Sequence, residues 1–515
     1  MFEIVKGYYT KVILILFFAF NLQLIDSQQI NTLYFMQNMP QRHVLNPAFQ
    51  PETKYYISIP LLGNINLGAA NNSVALQDVI YNHNGHTITF LDENGNIDAF
   101  YKKLKSTTAM NAFANVNLFS FGFKHDNSFW NLSFNQRTDG NILLPKDAFK
   151  LALYGTPDLF ENNYNLNKLN ASVNYYTETA LGYSRQIDEQ WTIGAKVKFL
   201  YGTANVTTLN EYLTFNAGLE KWQLKSKGTI NYAGDIKPLE DFVNSRTFSI
   251  QKPSGLGAGV DVGAQLRLTP DLYLSASITD LGFIKWSKNV GNIIYKADFL
   301  YDGIANINGT MDLTTLNATL NGIGAINPVV DSLIAALQNS ASINQTTKSY
   351  LSNTTAKVNI GAEYKLLSDK LSIGLLYRQL YFKNYISHEL TFSANAFPYD
   401  WLNASLSYSV LNGSNTFGAG LGVRTGFIHW FAAMDYLPLK KTTLKSLNLY
   451  NVTLKNIPIP YNLKSFNLSV GINVVFDEFI LQKYKRTEKN ERKVNSKTGL
   501  FRTKFRTKED CNCKN

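Results

Sequence analysis

The stretch from Gly255 to Trp286 alternates apolar and polar residues so regularly that only a few folds can contain it. Every even position from Leu256 to Leu268 is apolar, whereas the odd positions between them are glycine, polar or charged. A period of two is the period of a β-strand, so one face of this strand is apolar. The turn residues Thr269-Pro270-Asp271 interrupt the pattern, which resumes at Leu272. The sequence therefore predicts a hairpin whose arms each have the roughly ten residues of a tilted membrane-spanning strand.

Such a hairpin suits either a soluble sandwich or a membrane barrel, and the rest of the chain favours the barrel. About fourteen segments show the same alternation, an even number, as in bacterial outer-membrane barrels of a single chain. Short connections, such as His125–Asn127 and Leu367–Lys370, alternate with long ones, such as 205–254 and 289–353. This parity is expected when short turns lie on one side of a membrane and long loops on the other. We therefore predict an all-β transmembrane antiparallel barrel over residues 54–480, with long extracellular loops.

The composition agrees with a barrel and disagrees with a helical membrane protein. Charged residues make up 17% of the chain, below the roughly 25% of soluble proteins. The chain has 29 Tyr and 33 Phe, which suits aromatic girdles at the two membrane interfaces. The mean hydropathy of −0.15 excludes a bundle of apolar helices, whereas a barrel exposes only every second strand residue to lipid.

Residues 1–27 have the pattern of a secretory signal. Lys6 and Lys11 precede the apolar run Val12–Phe20, and Ser27 is a small residue suited to the cleavage site. The alternative, a short membrane anchor, is disfavoured because the run is too short to span a bilayer as a helix. We therefore expect export, and a mature chain that begins with an N-terminal segment over residues 28–53.

The C-terminal tail, residues 481–515, carries most of the net charge. It contains 12 Lys/Arg and 4 Asp/Glu and so contributes +8 of the formal net charge of +11. We expect a disordered tail, or one that contacts anionic lipid or cell-wall polymers. No nucleic-acid partner is expected, because the remaining body is nearly neutral. Cys511 and Cys513 are the two cysteines of the chain, so a disulfide framework in the body is excluded.

The first strand is predicted from Lys54 to Gly68, and the long insertion 289–353 is predicted to be a loop. One amphipathic helix is expected in that insertion from Pro328 to Gln338, since proline suits the first turn of a helix.

The sequence predicts no enzyme, cofactor or metal site. The six histidines do not have the spacing of a zinc motif, and no Cys lies near them. No nucleophile elbow of the form GxSxG occurs. The run Gly255-x-Gly257-x-Gly259 lies inside a strand, so we expect its glycines to permit close packing inside the barrel instead of binding a dinucleotide.

Charged residues on the polar strand faces are the candidate lumen or ligand residues. A charge that faces lipid costs roughly 2–4 kcal/mol at the bilayer midplane, so these side chains should point inward. Two interpretations remain open: a polar path or ligand cavity, and a structural lattice of ion pairs that fills the interior. The candidates are Asp261, Arg267, Lys357, Glu363, Lys196 and Arg378.

Several short segments resemble an uncharacterised family of Bacteroidetes outer-membrane barrels, a domain of unknown function. That family is related to the long-chain fatty-acid transporter superfamily, which includes outer-membrane accessory proteins of type IX secretion. The segments that carry the resemblance are 33–36, 45–51, 119–123, 180–185 and 280–286. The resemblance implies a barrel of about fourteen strands, and it implies that Asn46, Pro47 and Ala48 belong to an N-terminal plug inside the barrel.

The resemblance also implies a function: passage or binding of a small hydrophobic molecule at the outer membrane of a diderm bacterium. The alternative is a scaffold or secretion accessory that transports nothing and binds a protein partner through its long loops. The expected partners are accordingly outer-membrane lipid, a small hydrophobic ligand and a protein that contacts the loops.

Overall fold

The computed structural model describes residues 30–37, 39–84, 86–155, 162–218, 222–234, 252–301, 341–383, 385–411, 414–436, 441–449, 452–460 and 463–476. The predicted signal segment 1–27, the basic tail 481–515 and the predicted helix Pro328–Gln338 lie outside these described residues.

The described residues contain twenty-four strands and three short α-helices. The first twelve strands are β1 (Tyr55–Ser58), β2 (Ile65–Asn71), β3 (Ile80–His83), β4 (His86–Thr89), β5 (Thr107–His125), β6 (Ser128–Pro145), β7 (Asn162–Asn165), β8 (Asn170–Gln186), β9 (Trp191–Ala217), β10 (Trp222–Ala233), β11 (Gly255–Arg267) and β12 (Leu272–Trp286). The others are β13 (Val290–Tyr301), β14 (Ala341–Thr346), β15 (Tyr350–Asn353), β16 (Ala356–Leu366), β17 (Leu371–Phe382), β18 (Tyr385–Tyr399), β19 (Leu402–Leu411), β20 (Ser414–Thr425), β21 (Ile428–Met434), β22 (Lys441–Leu449), β23 (Val452–Pro460) and β24 (Ser465–Phe476). The helices are Leu76–Val79, Ile97–Lys103 and Lys146–Tyr154, and one 3-10 turn spans Arg42–Val44.

The strands form a closed antiparallel barrel of fourteen strands, as predicted. β1 and β2 share the first position, because both pair with β5 on one side and with β24 on the other. Each wall strand then pairs with the next in the order β5, β6, β8, β9, β11, β12, β16, β17, β18, β19, β20, β21 and β24. Since β24 returns to β1 and β2, the ring is closed, and closure removes the open edges that a flat sheet would have.

The two faces of the wall divide apolar from polar side chains. On β9, Val197 and Phe199 are 51% and 54% exposed, whereas the intervening Lys196 and Lys198 are 4% and 5% exposed. The predicted alternation of β11 is also confirmed, since Val262 points outward and Asp261 is buried inside. A bilayer requires this division, because apolar side chains then meet lipid while polar ones meet the lumen.

Short turns lie at one end of the barrel, and a sheet extends from the other. The turns that follow β5, β8, β11, β16 and β20 each contain two to four residues. At the opposite end β9 continues past the barrel, and its distal part from Asn205 to Ala217 pairs with β10. β10 then pairs with β13, and β13 pairs with β14. The long connections all lie at this end, as expected, but β17–β18 and β19–β20 are joined here by only two residues each, so the predicted alternation of short and long connections is incomplete.

Two details of the sequence prediction are wrong. The first strand, predicted from Lys54 to Gly68, is broken between Ser58 and Ile65, where the chain bends and Leu61 takes a φ of 64°. The insertion 289–353 is not a loop at its ends, where β13, β14 and β15 form. Extension of the existing β9–β10 ladder gives hydrogen-bond partners to backbone groups that an irregular loop would leave to water.

In the part of the chain that the structure describes, no helix has the length and apolar character needed to cross a membrane.

The N-terminal segment, residues 30–37 and 39–53, is largely buried against the inner wall of the barrel and is called the plug below. It forms an apolar cluster of eight plug residues with Leu376, Phe431 and Ala433 of the wall. Glycines of the wall make room for it. A Cβ atom on Gly374 would lie only 2.4 Å from the ring of Phe35, so a larger residue at this position would displace the plug or the strand.

Candidate functional site

The wall of the barrel is interrupted beside β12. Thr279 of β12 pairs with Lys357 of β16, whereas Phe283 pairs with Asn353 of β15, and the regular ladder stops between these two pairs. Asp280 has a φ of 60°, and both it and Thr279 are buried, so two successive side chains point inward. This arrangement is a β-bulge, which bends a strand and ends its regular pairing locally.

One threonine holds the two sides of the interruption together. The backbone N–H of Thr354 donates to the carbonyl oxygen of Gly282 at 3.0 Å. Its hydroxyl donates to the carbonyl oxygen of Asp280 at 2.6 Å. On the other edge of β12, the backbone N–H of Asp280 donates to the carboxylate of Asp261 at 2.7 Å. The bulge is therefore fixed by side chains and not by a continuous ladder.

A cavity of about 890 Å³ lies at this interruption, a volume typical of pockets for small ligands. Residues from both faces of the wall line it, which is possible because the wall is interrupted there. Its outward-facing apolar lining includes Val260, Ile278, Leu281, Phe283 and Leu351. Its inner polar lining includes Asp139, Asn141, Ser172, Asn174, Thr207 and Ser352. The cavity thus connects the outer surface of the barrel with the part of the lumen that lies toward the extended sheet of β9 and β10.

A cluster of six buried charges lies inside the barrel next to the bulge. We call it the ion cluster; its members are Arg137, Glu178, Lys198, Asp261, Asp280 and Lys357. Arg137 contacts Asp280 at 2.6 Å and Glu178 at 2.7 Å. Lys198 contacts Asp261 at 2.7 Å, and Lys357 contacts Asp280 at 2.6 Å. Three cations balance three anions, so the charges compensate one another inside a medium where an unpaired charge is costly.

The start of the plug is anchored at several buried polar groups of the wall. The backbone N–H groups of Asn31 and Thr32 donate to the carboxylate of Asp435 at 2.7 and 3.1 Å. The side-chain amide of Asn31 donates to Glu389 at 2.8 Å and accepts from Arg378. Hydrogen bonds to ionised groups are stronger than neutral ones, so these contacts hold the segment firmly.

The predicted plug residues lie against the inner wall. Asn46 donates its side-chain amide to the carbonyl oxygens of Ala264 and Ala276 at 3.4 and 3.3 Å. Pro47 passes so close to Gly194 that a Cβ there would lie 2.3 Å from the proline carbonyl oxygen. Ala48 is fully buried and donates its backbone N–H to the side chain of Asn46.

The predicted lumen residues occupy three different environments. Asp261 and Lys357 belong to the ion cluster, which supports the interpretation of an ion-pair lattice for these two. Lys196, Glu363 and Arg378 are buried and contact the plug, at His43, Gln37 and Asn31 respectively. Arg267 is separate from all of them. Its side chain is exposed at the short-turn end, where it donates to the carbonyl oxygen of Pro270 at 3.2 Å.

Sequence reasoning missed Arg137, Asp280 and the polar residues that line the cavity. One signal was available: Thr279 and Asp280 are two successive polar residues, after which the apolar positions shift from even to odd numbers. A shift of this kind marks a bulge. No comparable signal identified Arg137, because its partner Asp280 is 143 residues away.

Several solved barrels have a similar fold at very low sequence identity. The toluene transporter TodX of P. putida is 10% identical, with 84% of this chain and 94% of that protein covered and a TM-score of 0.36. The toluene transporter TbuX of Ralstonia pickettii is 10% identical, with coverages of 89% and 100% and a TM-score of 0.39. A FadL homologue of Pseudomonas aeruginosa is 11% identical, with coverages of 88% and 100% and a TM-score of 0.37.

No curated protein sequence matches this chain. By contrast, the sequence profile of one family matches residues 47–435, a range that contains every strand from β1 to β21. The expected resemblance to an uncharacterised barrel family is thereby confirmed. On this match, which covers more than half of its length, the chain belongs to the family of unknown function DUF5723.

Proposed function

We propose that this protein resides in the outer membrane of a diderm bacterium and passes a small hydrophobic molecule through the side of its barrel. The observation that carries the proposal is the cavity of about 890 Å³ whose lining includes residues of both wall faces. The predicted signal segment and the apolar outer face of the barrel support the location.

The apolar rim of the side cavity favours entry of a hydrophobic solute from the bilayer. Leu281, Phe283 and Leu351 are 52%, 48% and 62% exposed on the outer surface around the interruption. An apolar solute partitions into the hydrocarbon of a membrane, where it would meet this rim directly. The solute would then reach the part of the lumen that lies toward the extended sheet without crossing the aqueous ends of the barrel.

The plug acts as the gate in this proposal. Cavities between the plug and the wall are small: one is about 30 Å³ and another about 10 Å³. The plug and the ion cluster lie between the side cavity and the short-turn end of the lumen. In this proposal, a solute continues to the short-turn end only after the plug has moved.

Blocking the opening tests the proposal. Thr355 lines the cavity and is half-buried, so Thr355→Trp should fill part of the opening and abolish solute uptake. Ile360→Trp is the control, because Ile360 lies five residues further along the chain, on β16, is 53% exposed and does not line the cavity. The measurement is uptake of radiolabelled toluene, oleate and monooleoylglycerol by cells with and without the protein. Uptake of all three at the same rate in both kinds of cell would overturn the proposal.

A second candidate function is a scaffold that binds a protein partner. The observation in its favour is the sheet of β10, β13 and β14, which continues the barrel wall beyond the membrane band. Ala297 pairs with Ala341, so residues 302–340 can be replaced by a short Gly-Ser linker without separating β13 from β14. If this variant no longer forms a cross-link to a partner protein in cells, while its solute uptake is unchanged, the result would favour the scaffold function.

A further inference from the structure

The lining of the side cavity has two chemically different halves. The outward half is apolar and faces the region where acyl chains of the bilayer would lie. The inner half offers amides and hydroxyls, among them those of Asn141, Asn174, Thr207 and Ser352. The side chains of these four residues are already hydrogen-bonded to other wall residues. A pure hydrocarbon would match the first half, but it would exclude water from the remaining polar groups of the second half, which is unfavourable.

Some of these polar groups are free to bind a ligand. Within the ranges that the structure describes, the hydroxyls of Ser172 and Thr355 and the side-chain amide of Asn353 have no hydrogen-bond partner, although all three residues line the cavity. The hydroxyls of Ser172 and Thr355 are half-buried and the side-chain amide of Asn353 is exposed, so all three can bind either water or a ligand.

The two charged residues of the lining cancel each other. Asp139 accepts a hydrogen bond from the hydroxyl of Tyr176 at 3.1 Å, and Lys383 donates one to the hydroxyl of Thr207 at 3.0 Å. Neither Asp139 nor Lys383 forms an ion pair with any residue in the described part of the chain. One carboxylate and one ammonium give the lining no net charge, so a ligand with a net charge is attracted by one and repelled by the other.

From these observations we infer that the side cavity binds the polar head group of an amphiphile that carries no net charge, while its acyl chain stays outside against the apolar rim. The head group donates and accepts hydrogen bonds, and hydroxylated head groups such as glycerol meet this requirement. The inference rests on the side opening of the proposed function, but it concerns binding and orientation, and it does not require passage.

Three ligands with the same C18 chain separate the head-group classes. Tritiated monooleoylglycerol, oleate and 1-octadecene would be titrated against the full-length protein in lipid nanodiscs. We expect monooleoylglycerol to bind on the order of tenfold more tightly than either of the others, a difference of about 1.4 kcal/mol. Equal or tighter binding of oleate or octadecene, or no binding of monooleoylglycerol, would overturn the inference.

Two conservative variants test whether the cavity is the binding site. Thr355→Val and Ser172→Ala each remove one unpartnered hydroxyl, so each should weaken monooleoylglycerol binding roughly threefold to tenfold. Thr416→Val is the matched control, because Thr416 is a buried hydroxyl without a partner in a different part of the wall. Unchanged affinity in both cavity variants, with folding verified by heat-modifiable gel migration, contradicts the assignment.

The binding experiment and the uptake experiment test different claims, so one claim can be wrong while the other stands. If monooleoylglycerol binds as expected but no solute enters cells faster, the inferred head-group site stands and the proposed passage is wrong. If toluene uptake depends on the opening but monooleoylglycerol does not bind, the passage stands and the head-group site is wrong.

Discussion

The charge of a single aspartate determines how the interior is arranged at the side opening. Asp280 receives contacts from Arg137, Lys198 and Lys357, and its backbone conformation forms the bulge. The same residue therefore interrupts the wall and holds three cations together. Loss of one member of a buried, balanced set leaves an uncompensated charge in a medium that solvates it poorly.

We predict that Asp280→Asn destabilises the barrel by roughly 3–5 kcal/mol, because it leaves the cluster with one excess positive charge. Unfolding by urea in detergent micelles, followed by tryptophan fluorescence, would measure the change. The control is Glu211→Gln, whose partner Lys227 is exposed, so its loss should change the stability far less. Adding Lys357→Met to Asp280→Asn should restore part of the stability, since it restores the charge balance. Equal unfolding midpoints for Asp280→Asn and Glu211→Gln would contradict this account.

At the scale of elements, the plug and the wall are matched by small residues. Gly263 and Gly194 face Asn46 and Pro47, and Gly374 faces the ring of Phe35. Each of these glycines lets the plug backbone or a plug side chain approach the strand directly. The plug is therefore packed as part of the core, so movement of the gate requires a coordinated loss of these contacts.

A disulfide between plug and wall should lock the gate. The hydroxyls of Thr32 in the plug and Ser407 in β19 lie 2.7 Å apart, so cysteines at these two positions come within the reach of a disulfide. We predict that Thr32→Cys with Ser407→Cys, with Cys511 and Cys513 replaced by serine, loses solute uptake when oxidised and regains it on reduction. The reduced form of the same variant is the control. Equal uptake in both redox states would show that the plug does not have to move.

The sequence was informative about elements and less so about contacts. Period-two alternation and turn residues were enough to locate all fourteen wall strands. Both signals are local, because the residues that form each of them are close together in the sequence. The alternation also placed Lys196, Asp261 and Lys357 inside. The alternation could not predict that Asp280 contacts Arg137. It also could not predict that Arg267 lies at the turn and not in the lumen. Such contacts depend on register and tilt across several strands. The strands of the insertion were missed because they extend a neighbouring ladder and have weak alternation of their own.

For the whole molecule, the position of the short turns determines which end faces the cell exterior. We predict that Lys225→Cys, in the sheet beyond the barrel, reacts with a membrane-impermeant maleimide on intact cells. Thr269→Cys, in the turn between β11 and β12, should react only after the outer membrane is permeabilised. Both variants would carry serine at positions 511 and 513. The reverse labelling pattern would place the extended sheet in the periplasm.

The location of the plug also constrains the order in which the molecule is assembled. Asn31 binds Asp435, which is 404 residues further along the chain, and Gln41 donates to Asn473 of the final strand. Contacts between such distant residues form late in folding. The docking surface for the plug is complete only when β21 and β24 have joined the ring, so this N-terminal segment is among the last parts of the chain to reach its place. An empty, unplugged barrel is therefore an expected intermediate of biogenesis.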